Sequence, residues 1–257
     1  MTAYVSAFDL FSIGIGPSSS HTVGPLRAAR AFAVRLHDEG ILDRIDQVTC
    51  TLYGSLGSTG IGHGTPDAVV AGLRGLEPEN CRPEDVRGAW SGLPDGATIA
   101  LAGLREIPFA RDDIDFEPRT RLPGHPNALT LRAWGRGESG EREPLPLREE
   151  TYYSIGGGFI RRDGEEADLA ARASHPLPYD TAVELLAICE RLDIPICEVA
   201  RRNEAALHSE ERTVERLDLI WEAMAECVAN GLAGTGTLPG GLQVPRRAAA
   251  MREHLER

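Results

Sequence analysis

Apolar residues recur at helical spacing over residues 20–39, where Leu26, Ala29, Ala33 and Leu36 share one face and Gly40 follows as a stop. The period then shortens to two. In residues 47–53, Val48, Cys50 and Leu52 alternate with Thr49, Thr51 and Tyr53, which predicts a strand with the first set turned inward. The glycine stretch 57–64 reads as a loop, after which Thr65 and Pro66 supply an N-cap and a first-turn residue for a helix over 67–73. From 98 to 160 the signals are mostly strand. Residues 128–134 and 150–155, separated by a polar glycine-rich turn at 135–140, predict a hairpin.

Three glycines, Gly156 to Gly158, and the charged stretch 161–168 mark the end of this region, because few apolar groups there can anchor the backbone. Beyond residue 178 the pattern is helical. Asp180 is placed to cap a helix over 181–192, and Ser209 to cap a longer one to Asn230, whose stripe of Val214, Leu217, Trp221, Met224 and Val228 ends at Gly231. A last helix runs from near Pro245 to Arg257. The expected organisation is an α+β domain over 1–160, a linker over 161–178, and the first part of an all-helical domain over 179–257. Three striped helices need more partners than these residues supply, so the helical domain is expected to be incomplete.

The chain has 257 residues, enough for two modest cores. It carries no apolar run long enough to span a bilayer and no charged-then-apolar leader, which makes a cytoplasmic protein the expectation and a membrane partner not. The 27 basic and 39 acidic residues leave a formal charge of −12 with no segregated basic patch, so nucleic acid is not an expected partner either. All the basic residues counted are Arg. A chain without Lys cannot form the Schiff base that anchors pyridoxal phosphate, nor complete a P-loop. Cys50, Cys81, Cys189, Cys197 and Cys227 form no C-x-x-C pair and no zinc spacing with His, and are read as reduced, buried thiols.

The densest polar constellation spans residues 14–22, where Ser18, Ser19, Ser20, His21 and Thr22 meet the start of a helix. Free backbone N–H groups and the helix dipole favour an anion there, a carboxylate for instance; an over-decorated N-cap facing water accounts for the same residues. Its spacing is not the G-x-G-x-x-G dinucleotide fingerprint. His63 sits among glycines in residues 60–64, ahead of Thr65, and an imidazole there suits proton transfer near neutrality as well as it suits a plain surface loop. His125 is held extended by Pro126 just before Asn127, as in a simple turn. Tyr152, Tyr153, Ser154 and the triple glycine form a fourth group. His37, His175, His208 and His254 read as solvated surface groups.

Taken in order, Gly-Pro-Ser-Ser-Ser-His-Thr-Val-Gly-Pro at 16–25, Gly-His-Gly-Thr-Pro-Asp at 62–67, Gly-His-Pro-Asn at 124–127 and Tyr-Ser-Ile-Gly-Gly-Gly-Phe-Ile at 153–160 resemble the iron–sulfur L-serine dehydratases. Leu238 to Leu242 and Pro245-Arg246-Arg247 look like the early helical domain of the same family. The resemblance implies an α+β domain similar to an allosteric substrate-binding fold, a helical domain with a 4Fe-4S cluster, no pyridoxal phosphate, L-serine as substrate and a homodimer. It implies His63 and His125 as the proton-handling pair, without deciding which takes the proton. Ser18, Ser19, Ser20, His21, Thr22, Thr65 and Asn127 would then hold the substrate.

Dehydrating serine means removing a weakly acidic Cα proton and expelling hydroxide, which asks for a positioned base and an electrophile on the oxygen. The family's cluster cysteines lie in the later helical domain, and none of the five cysteines here matches them. The chain alone is therefore expected to be inactive. The rival expectations are a serine- or amino-acid-sensing module without catalysis and a purely structural partner whose unfinished helices dock another chain.

Overall fold

The computed structural model describes residues 4–136, 143–165, 175–238 and 243–257. They fall into two compact units. Residues 13–136 and 143–165, with 236–238 and 243–245, form a mixed αβ unit, and residues 4–12, 175–235 and 246–257 form a helical one. Residues 4–12, counted with the first domain in the sequence, thus belong with the helices; their short helix α1 (Ala7–Leu10) is capped by the Ser6 hydroxyl.

In the αβ unit, α2 (Gly24–Asp38) follows a single π-type turn over Ser19–Val23. It carries Ala29, Phe32, Ala33 and Leu36 into the main core. Gly40 adopts a left-handed φ of 68°, and the Gly40 and Ile41 amides donate to the His37 and Leu36 carbonyls, ending the helix where the sequence placed its stop. The strand β1 (Gln47–Tyr53) turns Val48, Cys50 and Leu52 to the same core, as its alternation predicted.

After β1 the chain departs from expectation. The glycine stretch is not a loop: α3 (Gly54–Thr59) and a 3-10 turn over Ile61–His63 occupy most of it, helices that glycine's low propensity hid. Next comes α4 (Thr65–Leu73), whose N-cap is Gly64 rather than Thr65. A short α5 (Pro83–Val86) precedes a separate hairpin of β2 (Thr98–Leu101) and β3 (Arg105–Pro108). The strands β4 (Ile114–Glu117), β5 (Asn127–Trp134), β6 (Arg148–Gly156) and β7 (Phe159–Arg162) complete a five-stranded sheet of order β4-β1-β5-β6-β7. Only the β1–β4 pairing is parallel.

The predicted hairpin is β5–β6, in register from Ala128–Tyr153 to Ala133–Arg148; most of its expected turn at 135–140 lies outside the described residues. Gly156, Gly157 and Gly158 take φ values of 102°, 61° and 81° and turn β6 back into β7, so they do not open a linker. Arg161 and Arg162, placed in that linker by the sequence, pair with Tyr153 and Tyr152. Residues 166–174 of the expected linker lie outside the described residues.

Helices cover one face of the sheet. Gly72 of α4 lets it lie directly on α2, because a Cβ at that position would stand 2.2 Å from the Leu26 carbonyl oxygen. On the same face Glu150 of β6, nearly buried, meets Arg35 of α2, Arg148 and Arg162 at 3.2, 2.8 and 3.1 Å and accepts from the Tyr152 hydroxyl. The opposite face is polar. There Thr130 pairs with Thr151, Arg132 donates to Thr51 and the Trp134 indole donates to Thr49, at 2.7, 3.0 and 3.1 Å.

The helical unit contains α6 (Ala182–Leu192), α7 (Ile196–Glu204), α8 (Glu210–Ala233) and α9 (Ala248–Leu255). Thr181, not Asp180, caps α6, and Ser209 caps α8 as expected. α8 continues through Gly231 to Ala233, since one glycine in a long helix costs too little to end it. α7 was not foreseen. Its Glu204 is buried and takes bonds from the Tyr4 and Ser6 hydroxyls at 2.5 and 2.9 Å. His208, expected as a solvated surface group, packs edge-on against Phe8, and His175 does the same against Tyr4. The α8 stripe of Val214, Leu217, Trp221, Met224 and Val228 is exposed. Among the described residues no helix is long and apolar enough to cross a membrane.

Candidate active site

Because β5 runs antiparallel to both β1 and β6, the C-terminal end of β1, the start of β5 and the end of β6 lie at one end of the sheet. All four motifs meet there. Asn127 at the start of β5 bridges Gly54 at the start of α3, and its amide donates to the Ser154 carbonyl at 3.5 Å. Ser154 lies against Gly24, the first residue of α2: a Cβ on that glycine would stand 2.1 Å from the Ser154 hydroxyl. The hydroxyl-rich turn that leads into α2 is thereby brought to the same end.

Within that turn Ser18 acts as a cap, its Oγ accepting from the His21 amide at 3.1 Å, and its own amide donates to Thr22 Oγ1 at 3.3 Å. The Thr22 hydroxyl in turn donates to the His63 carbonyl at 2.8 Å, while the Thr65 hydroxyl donates to the His21 carbonyl at 2.5 Å. These reciprocal bonds lock residues 18–22 to residues 63–65, and they explain why Thr65 does not cap α4. The His21 and His63 rings come to 4.8 Å between centroids. Ser19 is exposed, and its hydroxyl has no partner among the described residues.

The imidazoles differ in what holds them. His21 sits between two hydroxyls, Ser20 Oγ on Nδ1 at 2.9 Å and Ser55 Oγ on Nε2 at 3.0 Å. Burial, and then the neighbouring charge of His63, hold its pKa below the ordinary imidazole value against the Ser55 contact, which acts to raise it. His63 Nδ1 faces the Thr59 carbonyl at 2.9 Å. A carbonyl only accepts, so Nδ1 carries the proton and Nε2 keeps the lone pair of the neutral ring. His125 has the other tautomer: its Nδ1 accepts from the Asn127 amide at 3.1 Å, leaving the proton on Nε2. No hydrogen bond or ring contact joins His125 to His21 or His63 among the described residues. Its loop reaches the site through Pro126, whose carbonyl accepts from the Ser55 amide at 3.1 Å.

A cavity of about 190 Å³ opens beside His63, lined also by Thr22, Ile15, Ile61, Asp67 and Arg87. It is smaller than the ~300–1,000 Å³ of sites for drug-sized ligands and suits a small metabolite. Ser55, Thr59 and Arg87 were absent from the sequence-based candidates. Thr59 stands in the glycine stretch read as a loop and Ser55 just before it, and nothing near Arg87 in the sequence marks it.

The five cysteines are free, but only Cys50 is buried, and Cys197 and Cys227 are exposed, which corrects their reading as buried thiols. Among the described residues no three His, Cys, Asp or Glu side chains converge as a metal site. They therefore do not fit a 4Fe-4S cluster, which needs several thiolates in one place.

These elements define an αβ domain with a cluster of imidazoles and hydroxyls at one end of its sheet and a small cavity beside His63. The family model of the serine dehydratase beta chain matches residues 6–165, and the chain belongs to that family. It is 42% identical over 255 residues to an L-serine dehydratase of Mycobacterium tuberculosis (strain CDC 1551 / Oshkosh), covering 98% of this chain and 53% of that protein. To the L-serine dehydratase of Streptomyces coelicolor it is 44% identical over 249 residues, 95% of this chain and 53% of the other. L-serine dehydratase 1 of Escherichia coli (strain K12) is 39% identical over 253 residues, with 98% and 54% covered. The chain spans about half the length of the curated relatives it matches.

Proposed function

We propose that this chain is the substrate-holding and proton-abstracting portion of an L-serine dehydratase, which converts L-serine to pyruvate and ammonia. The observation that carries the reading is His63: its Nδ1 is committed to the Thr59 carbonyl, and it lines a metabolite-sized cavity together with Thr22. A base must offer a lone pair at a fixed place, and Nε2 of His63 does so. On this reading it takes the Cα proton of serine. His125 offers its Nε2–H as a hydrogen-bond donor to the departing hydroxyl, which leaves as water with the proton that His63 took from Cα. Water leaves, and the aminoacrylate tautomerises and hydrolyses to pyruvate and ammonia. Ser18, Ser20, His21, Thr22, Thr65 and Asn127 shape and hold the site; Ser19, exposed and with its hydroxyl unpartnered among the described residues, is assigned to the substrate.

The 4Fe-4S cluster implied by the resemblance is proposed for the complete enzyme, as are a homodimer, a cytoplasmic location and the likeness of the αβ unit to an allosteric substrate-binding fold. No step is assigned to the cluster, because these residues do not fit it. The chain by itself is proposed to be inactive. The test is an anaerobic assay of pyruvate release from L-serine by the protein that carries this sequence, with and without His63→Asn. A fall of about 10²–10⁴-fold in kcat is expected for removing a general base. Unchanged turnover in His63→Asn would reject the assignment, and pyruvate formed by the isolated chain would reject its inactivity.

A further inference from the structure

Arg87 follows α5 directly, lines the cavity beside His63, and has no ion pair or hydrogen bond to its guanidinium among the described residues. Most other arginines near the αβ core are engaged: Arg27, Arg30, Arg35, Arg105, Arg132, Arg148 and Arg162 each meet a carboxylate. Arg87 is exposed, so its guanidinium is free to meet a ligand that enters the cavity. The same cavity is lined by Asp67, held still through Oδ1, which accepts from the Trp90 and Ser91 amides at 2.8 and 2.9 Å. Among the described residues its Oδ2 meets only the Ser91 hydroxyl, at 3.4 Å, and keeps capacity for another donor. Ile15, Ile61 and Val86 add apolar surface to the same cavity.

We infer that this cavity is a zwitterion site in which Arg87 takes the α-carboxylate of the amino acid and Asp67 Oδ2 its α-ammonium. The inference rests on the serine-dehydratase reading and adds how the substrate class is recognised. A planar guanidinium matches a carboxylate through two parallel hydrogen bonds, and a carboxylate already fixed by backbone amides receives an ammonium without reordering. A cavity of about 190 Å³ has room for a small amino acid. Arg87 is thus a specificity-determining residue that separates an amino acid from its uncharged-carboxyl analogues.

The test is an NMR titration of the chain, following the His21 and His63 ring signals with L-serine and with L-serinamide, which lacks the carboxylate. The unsubstituted chain is expected to bind L-serine at least about tenfold more tightly than the amide, the usual effect of losing a charge-assisted bond. Arg87→Met should lose about that factor for L-serine and none for L-serinamide, and Arg87→Lys should recover part of it. If Arg87→Met binds L-serine as the unsubstituted chain does, the carboxylate anchor is overturned while the dehydratase reading stands. If L-serine moves neither ring in the unsubstituted chain, both are overturned.

Discussion

The rings of His21 and His63 lie 4.8 Å apart between centroids, although 42 positions separate them in the chain. Their backbones are joined by the Thr22 and Thr65 hydroxyls, each donating to the carbonyl of the other segment's histidine. Two imidazoles at that distance cannot both be charged without mutual repulsion, and burial together with that repulsion disfavours the charged form of His21.

The His21 ring should therefore titrate below 6.5, its ordinary value. As the folded pKa is the lower one, the unfolded chain binds the extra proton first, so stability is complete above pH 6.5 and is lost as the pH falls toward the folded value. His63→Asn removes one cause of the depression and should move the His21 titration upward. Proton NMR of the ring signals in both proteins checks this; a His21 titration that stays put in the variant would show that the two rings do not communicate.

Glu150 should support the αβ unit through charge. Burial acts to raise its pKa, but the bonds from Tyr152, Arg148 and Arg162 and the charge of Arg35 outweigh it and hold the carboxyl below its ordinary 4.5. Its stabilisation is then present above pH 4.5 and disappears as the pH falls through the lower folded value. Glu150→Gln leaves three guanidiniums around a neutral side chain and should cost about 3 kcal/mol, the low end for breaking a buried pair because the arginines are partly exposed. Urea unfolding at pH 7 and pH 4 measures both effects. An equal loss at the two pH values would mean that packing, not charge, is what the substitution removes.

The same replacement should act in opposite directions at two helical glycines. Gly72→Ala places a methyl 2.2 Å from the Leu26 carbonyl and 2.9 Å from Ala29 Cβ, and forcing α2 and α4 apart should cost about 1–3 kcal/mol. Gly231→Ala, in α8 with no atom within 4 Å of the new Cβ, should stabilise the helical unit by about 0.5–1 kcal/mol. Thermal melts of both variants decide it. A neutral Gly72→Ala would indicate that α4 shifts freely on α2.

The sequence was sufficient wherever a property depends on neighbours along the chain. The alternation of Val48, Cys50 and Leu52 fixed the inner face of β1, Gly40 fixed the end of α2, and Ser209 fixed the start of α8, because strand pleat and helix caps are set within a few residues. The same local logic failed in residues 57–64, where low propensity concealed the end of α3 and the 3-10 turn after it, and at Gly156 to Gly158, where three glycines make a hairpin turn rather than a linker. There tertiary packing outweighs propensity, with Gly54 and Gly57 pressed against backbone that leaves no room for a Cβ. His21, His63, His125 and Asn127 could each be singled out by type and setting, yet nothing local joins them. Antiparallel pairing of β1, β5 and β6 brings their loops to one sheet end, and only that long-range register decided that Ser55 would bond His21, that Thr59 would set the tautomer of His63, and that Arg87 would reach the same cavity.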